Sequence, residues 1–383
     1  MTSSQPRMTY NFPTRIRFGA GVIDELGEFV KSKNLSRPLI VTDPGLAELP
    51  FIKKMSDDLK RVGVEPDLYH GIHKNPVKED VMGGVTVFQK TFRDSLIGIG
   101  GGASLDVARA IALKMNHPGD LFDYEDSKGG EVKIVHEIPF FITIPTTSGT
   151  GSEVGRSTVI SDDVTHQKKI LFSPKLMAKA VFADPLLTMN LPPRVTAATG
   201  MDALTHHIEA YLSKGFHPIC DGIALEGIRL ISKNLERAVH QPDLESRSAM
   251  MIAALMGGIA FQKGLGVVHS TAHPLSTLFD FHHGTANAMM IPHGIAFNAD
   301  VSEERLVTIA KVLELKKTSA QAVVEYLKNL VHQIGLPTNL SSQGVTEAAI
   351  AKLSQLALED VCHACNPKPV LLKDFQKIYR AAL

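Results

Sequence analysis

The chain has 383 residues, 44% of them hydrophobic and 21% charged, and its 40 basic side chains match 40 acidic ones. This length exceeds one ordinary core and predicts two domains. The absence of net charge argues against nucleic acid or an anionic membrane surface as a partner, and three cysteines (Cys220, Cys362, Cys365) are too few for a disulfide framework.

From Met1 to Phe12 there is no apolar stretch of signal-peptide length. Apolar runs at Pro38–Asp43, Ser95–Gly100, Phe140–Pro145 and Lys179–Asp184 predict strands buried on both faces of a parallel sheet. Helical patterns such as Ile52–Val62 and Asp106–Met115 lie between them, so the first half reads as βαβ units with right-handed crossovers. Two of the strands run into unusual turns. One is Gly100-Gly101-Gly102-Ala103-Ser104-Leu105-Asp106. Glycine lets the backbone approach a ligand, and a helix N-terminus offers free N–H groups and partial positive charge. That combination suits a pyrophosphate, although the same turn also serves as a plain strand–helix connection. It is not the GxGxxG fingerprint. The other turn, Pro145-Thr146-Thr147-Ser148-Gly149-Thr150-Gly151-Ser152-Glu153, is dense in hydroxyls that could bind phosphate or ribose, or cap a helix. Asp43 ends the first run. A carboxylate there can accept hydrogen bonds from ribose hydroxyls and repel a 2′-phosphate, favouring NAD over NADP; it fits equally as the start of an Asp-Pro-Gly turn.

After Leu191-Pro192-Pro193 the texture changes. Helical periodicity runs through Ala198–Ser213, Gly222–Val239, Ser246–Lys263, Glu303–Leu315, Ser319–Ile334, Thr346–Ala357 and Leu372–Ala382. The expected organisation is an α/β dinucleotide-binding domain with a Rossmann-like parallel sheet over residues 1–190, and an all-helical domain over 191–383. Ligands are expected at the carboxyl ends of the strands, facing the second domain. The longest apolar run, Met250–Phe261, falls short of the ~20 residues a bilayer requires and reads as a core helix. A soluble cytoplasmic protein is expected.

Between Gly264 and His293 lie five of the sixteen histidines. His269 and His273 are four apart, and so are Asp202 and His206 upstream. Residues at this spacing share a helix face, so each pair can converge on one point. Three imidazoles and a carboxylate so gathered would hold one divalent transition metal. The tandem pairs His206-His207 and His282-His283 leave the choice of ligand open. His70, His73, His117, His136, His166, His217 and His240 show no partner spacing and read as ordinary surface or core residues. Cys362 and Cys365 have CxxC spacing, but with no second such pair they read as a plain helical segment.

Taken in order, these motifs resemble the iron-containing (group III) alcohol dehydrogenase family. Four segments carry the resemblance: Gly100–Asp106, Pro145–Glu153, Met201-Asp-Ala-Leu-Thr-His206, and Gly264–His293. It runs from Arg15-Ile-Arg-Phe-Gly to Asn366-Pro-Lys-Pro369. The resemblance implies Asp202, His206, His269 and His283 as metal ligands, with His206 four residues from Asp202 and His283 directly before the pattern's Gly284. It implies His273 near the metal as proton relay or substrate-positioning residue. Gly101, Gly102 and Ser104 would sit at the cofactor pyrophosphate, with Asp106 at the helix start. Thr146, Thr147 and Thr150 would line the nicotinamide side, Lys169 would reach the cofactor, and Asp43 would read the adenine ribose. The chain departs from the pattern at Ala103 and Ser104, where the family has serine and proline, so a side-chain contact at position 103 is lost.

The resemblance implies an oxidoreductase that transfers hydride between NAD(H) and a small alcohol or aldehyde. Fe2+ is the expected metal, although Zn2+ or another divalent ion suits the same ligands. A homodimer or larger homo-oligomer is implied. A lyase resembling dehydroquinate synthase would also use NAD and a metal, but it needs a phosphate-binding cluster of Lys and Arg, and only Lys263 and Arg194 lie near these segments. A non-catalytic nucleotide or metal sensor is the third reading.

Overall fold

Strand and helix alternate in the first part of the chain as its apolar spacing requires. In chain order it forms β1 (Arg15–Phe18), α1 (Leu26–Ser32), β2 (Pro38–Val41), α2 (Pro44–Ala47), α3 (Pro50–Arg61), β3 (Asp67–Tyr69), α4 (Lys78–Lys90), β4 (Ser95–Gly100), α5 (Gly102–Asn116), β5 (Phe140–Pro145), β6 (Ser157–Ser161), β7 (Lys168–Phe172) and β8 (Ala180–Ala183). The computed structural model describes residues 12, 14–165 and 167–383. His166 and most of the stretch Met1–Phe12, with the expectation about a signal segment, lie outside the described residues. By internal contacts, among the described residues, 14–147 with Gly151–Met189 make one unit, and Asn190–Leu383 with Ser148–Thr150 make most of the other.

In the first unit six parallel strands form one sheet in the order β1-β8-β5-β4-β2-β3. Successive side chains point to opposite faces of a strand. Leu39, Val41, Leu96 and Phe141 therefore pack with Val81, Val85, Val107 and Ile111 of α4 and α5. Their neighbours Ile40, Ile97, Ile99 and Ile142 pack with Leu26, Phe29, Ile52 and Met55 of α1 and α3. Burying each such aliphatic side chain contributes about 1.5–3 kcal/mol, so both faces need a helical layer. The chain leaves β2 towards β3 on one side and leaves β4 towards β5 on the other. The order of strands therefore reverses between β2 and β4, where open α/β sheets bind their ligands. β6 and β7 pair antiparallel as a separate hairpin. β1, β3 and this hairpin were not expected from the sequence. They are short and half-exposed, so they lack the continuous apolar run that marks a central strand.

The second unit is helical: α6 (Pro193–Leu212), α7 (Pro218–His240), α8 (Leu244–Ala260), α9 (Val267–Phe279), α10 (His283–Val312), α11 (Ala320–Gln333), α12 (Ile350–Glu359) and α13 (Leu372–Ala382). α6 is buried from Thr196 to Leu212, which makes it the central helix of the unit. α7, α8 and α10 pack around it. The segment Leu244–Lys263 is long and apolar enough to cross a membrane by length and composition, yet 56% of it is buried inside the unit, as suits a core helix. α10 absorbs the expected helix Glu303–Leu315 into one run that kinks at Ser302 (φ −123°, ψ 15°).

Candidate metal centre and nucleotide turns

Asp202, His206 and Glu209 stand at i, i+4 and i+7 on α6, one stripe of the central helix. α9 brings His269 to that stripe and the first turn of α10 brings His283. Gly284 makes the latter approach possible, because a Cβ there would lie 2.1 Å from the Ala198 carbonyl oxygen of α6. His206 Nε2, His269 Nε2 and His283 Nε2 lie 3.8, 3.9 and 3.3 Å from Asp202 Oδ1. One ligand atom from each of the four residues falls within 4.8 Å of all the others.

The electrostatics suit a cation at that point. Burial opposes charge on Asp202, but His206, His283 and His269 around it outweigh burial and hold its carboxyl well below the usual range. Burial pushes His206 down to about 4, so its imidazole is neutral at neutral pH and available as a donor. Three imidazole nitrogens and one carboxylate are the donor chemistry of a divalent transition metal. The structure also separates the tandem histidines. His207 turns away and donates from Nε2 to the Ala253 carbonyl (2.8 Å), and His282 sits exposed at the N-cap of α10.

Three residues that the sequence reading passed over surround the cluster. Glu209 Oε2 lies 2.6 Å from His269 Nδ1, and its carboxylate also accepts from the backbone N–H of Val268 (2.6 Å) and His269 (3.2 Å). It thus caps the start of α9 and fixes the tautomer that turns Nε2 to the cluster. Burial disfavours the charged form of His269, but Glu209 reverses this and raises its pKa. Asn287, one turn after His283, donates from Nδ2 to Asp202 Oδ1 (2.7 Å). Asp360 Oδ2 accepts from His273 Nδ1 (2.7 Å), while its other oxygen accepts from Ser270 Oγ (2.7 Å) and Cys362 N (2.9 Å). His273 lies outside the four-atom cluster but stacks on His283, ring centroids 5.2 Å apart. Glu209 and Asn287 carried a readable signal, since each continues a helical stripe that already bears candidate ligands. Asp360 carried none, being far from His273 in sequence. Cys362–Cys365 forms a 3-10 turn, not a longer helix, and places Cys362 beside Asp360 and His273. Replacing Glu209 by Gln is expected to weaken divalent-metal affinity about 10–100-fold with the fold retained, measured by competition with a chromogenic chelator. Unchanged affinity would remove Glu209 from the centre.

The remaining site residues lie mostly in the α/β unit, at the carboxyl ends of three neighbouring strands. Asp43 follows β2 and caps α2, accepting from Leu46 N (3.0 Å). Gly100 ends β4 with φ +145°, a conformation open to glycine, and a Cβ there would lie 2.5 Å from Ser104 Oγ. α5 opens at once with Gly101 as its N-cap. Ser104 Oγ lies 3.4 Å from Asp43 Oδ2, joining the two strand ends. Thr146 follows β5 and donates from N to the Gly100 carbonyl (3.0 Å); Thr147 sits against Gly101. Thr150 falls in the segment that clusters with the helical unit. Asp106 lies one turn inside α5 rather than at its start. Its oxygens accept from Ser152 Oγ (2.6 Å), Arg109 Nη1 (3.1 Å) and Val159 N (3.0 Å), so it ties the hydroxyl-rich turn to the helix. Lys169 is on β7, with Nζ 3.4 Å from Glu125 Oε1. Three of the other histidines have local partners: His73 Nδ1 meets Asp80 (2.6 Å), His217 caps α7, and His240 Nε2 meets the Gln333 carbonyl (3.0 Å). Lys263, one of the two basic groups near these segments, is bound to Asp221 (2.5 Å) and the Tyr211 carbonyl (3.0 Å).

Comparison with known proteins agrees with this layout. Residues 13–185 match the model of iron-containing alcohol dehydrogenase, and residues 196–383 match the C-terminal model of the Fe-containing alcohol dehydrogenase family. The chain is 35% identical over 380 residues to 4-hydroxybutyrate dehydrogenase of Cupriavidus necator, covering 97% of this chain and 98% of that one. It superimposes on a crystal structure of 1,3-propanediol oxidoreductase with a TM-score of 0.94 at 33% identity, covering 98% of this chain and 100% of that one. A sulfoacetaldehyde reductase from Bifidobacterium kashiwanohense in complex with NAD+ gives a TM-score of 0.89 at 26% identity, with 99% of each chain covered. The chain belongs to the iron-containing alcohol dehydrogenase family and is an oxidoreductase of the alcohol dehydrogenase type.

Proposed function

We propose that this enzyme interconverts a small alcohol and its aldehyde, using NAD(H) and a divalent cation held by Asp202, His206, His269 and His283. The observation that carries the proposal is the convergence of one carboxylate oxygen and three imidazole nitrogens within 4.8 Å. A divalent cation there supplies Lewis-acid polarisation of the substrate oxygen, and NAD(H) supplies the hydride acceptor or donor. Iron(II) is the family's metal, and zinc suits the same donors.

The chain's own residues do the rest. Glu209 keeps His269 in its ligand tautomer, and Asp360 holds Nδ1 of His273, leaving Nε2 to exchange a proton with the substrate hydroxyl. The α5 N-terminus, with Gly101, Gly102 and Ser104, takes the pyrophosphate. Thr146, Thr147 and Thr150 line the nicotinamide side, Lys169 reaches the cofactor, and Asp106 holds the turn that carries the hydroxyls. In this reading residues 1–190 form the NAD-binding domain and 191–383 the metal-binding and substrate domain. The protein works in the cytoplasm as a homodimer or larger homo-oligomer. NADH supplied with a short aldehyde and Fe(II) is expected to be consumed, and chelation to stop consumption. Activity that survives complete metal removal overturns the reading.

Asp43 stands at the reversal point of the sheet, where its carboxylate would face the 2′ position of an adenine ribose. Asp43→Gly is therefore expected to raise use of NADP relative to NAD by about 10-fold or more, roughly 1.4 kcal/mol of discrimination. The ratio of kcat/KM for the two cofactors measures it. A wild type that already prefers NADP defeats the ribose assignment.

A further inference from the structure

Asn287 stands one helical turn beyond His283 on α10 and is completely buried. Its Nδ2 lies 2.7 Å from Asp202 Oδ1, 3.1 Å from His283 Nε2 and 3.4 Å from His269 Nε2. Three of the four candidate ligand atoms thus surround a single NH2 group. Meanwhile the Asn287 carbonyl oxygen is buried with no hydrogen-bond partner. A buried amide leaves an acceptor unsatisfied only where the gain on its other side exceeds the loss. Here the gain is electrostatic. Asp202 is a buried carboxylate whose Oδ1 faces the imidazoles of His206, His269 and His283 at 3.8, 3.9 and 3.3 Å. The amide protons are a partial positive charge directed at acceptors that would otherwise face one another.

Building on the proposed metal centre, we propose that Asn287 is its metal-free counter-donor. The side-chain NH2 takes the role of a cation when no ion is present, holding Asp202, His269 and His283 in register. It yields that role when an ion enters, because an N–H donor and a divalent cation compete for the same lone pairs. The site is thereby kept assembled without metal, and Asn287 contributes more to the metal-free protein than to the loaded one. Glu209 differs in this respect, since it bonds the far nitrogen of His269 and acts equally in both states.

The test is thermal unfolding of the full chain, chelator-treated and reloaded with Zn(II) or Fe(II), for the wild type, Asn287→Leu and Asn287→Asp. Leucine keeps the volume and removes the donor. Aspartate keeps the shape and sets a second carboxylate beside Asp202. The metal-free Tm is expected to fall by about 5 °C or more in both variants, with a much smaller fall in the loaded forms, so that the metal-induced rise in Tm grows. Equal falls in both forms would reduce Asn287 to a packing residue and overturn the proposal, as would no fall in either. If leucine fails to fold, aspartate alone decides, since its metal-free deficit must be recovered on loading. A wild type whose Tm does not respond to any divalent metal overturns the metal centre itself, and the proposal with it.

Discussion

Asp202→Ala is expected to lower kcat/KM for aldehyde reduction by about 10³-fold, the scale of losing a principal electrostatic stabiliser, and to leave the purified protein without bound divalent metal. The carboxylate is buried in α6 and is the one formal negative charge in the four-residue cluster. Without it, three imidazoles alone must hold the ion. The cost of a buried doubly charged cation with no counter-charge is large. Asp202→Asn preserves shape and removes only the charge, so it should fail nearly as badly. Metal content by elemental analysis, measured beside NADH consumption on the same preparation, separates loss of metal from loss of fold. A metal-replete Asp202→Ala enzyme with ordinary turnover would show that the ion sits elsewhere.

Arg109→Met is expected to destabilise the α/β unit by about 3–5 kcal/mol, the range for removing one partner of a buried ion pair. Arg109 is fully buried in α5. Its guanidinium donates to Asp106 (3.1 Å), Ser152 Oγ (2.9 Å), the Ser157 carbonyl (2.7 Å) and the Leu176 carbonyl (3.2 Å), and also to the Ser152 carbonyl. Methionine keeps the stem and abandons these acceptors. Asp106 then loses its guanidinium partner in a buried setting that already opposes its charge, and three carbonyls each lose a donor. Because Ser152 belongs to the hydroxyl-rich turn, NADH affinity should fall along with Tm, whereas Arg109→Lys should recover part of both. Calorimetry and NADH titration by fluorescence read the two effects. A Tm within 2 °C of wild type would mean that the network is dispensable, since ~1 kcal/mol already shifts Tm by roughly 2–4 °C in units of this size.

Much of this architecture was legible from local pattern. The runs at Ser95–Gly100 and Phe140–Pro145 became β4 and β5 with unchanged ends, and Leu372–Ala382 became α13. All three are cases where the local sequence pattern follows burial directly. α10 was less legible, because His282-His283-Gly284 and Pro292 resemble a break. Packing against α6 and α9 carries the helix through them. The four-residue cluster was half legible. Spacing of four puts Asp202 and His206 on one helical face whatever the rest of the chain does.

Local spacing therefore settles what is periodic: which runs are strands, which are helices, and which pairs share a face. Helical and strand geometry repeat over a few residues, so neighbours suffice to state them. Which face of α6 meets which turn of α9 and α10 is set by long-range packing and close approach, as at Gly284 against Ala198. That packing alone turned His207 to the Ala253 carbonyl, gave Glu209 to His269 and Asp360 to His273, and set the buried amide of Asn287 among the four clustered side chains. A hydrogen bond between residues 87 apart, such as that from His273 to Asp360, exists only once the chain between them has folded.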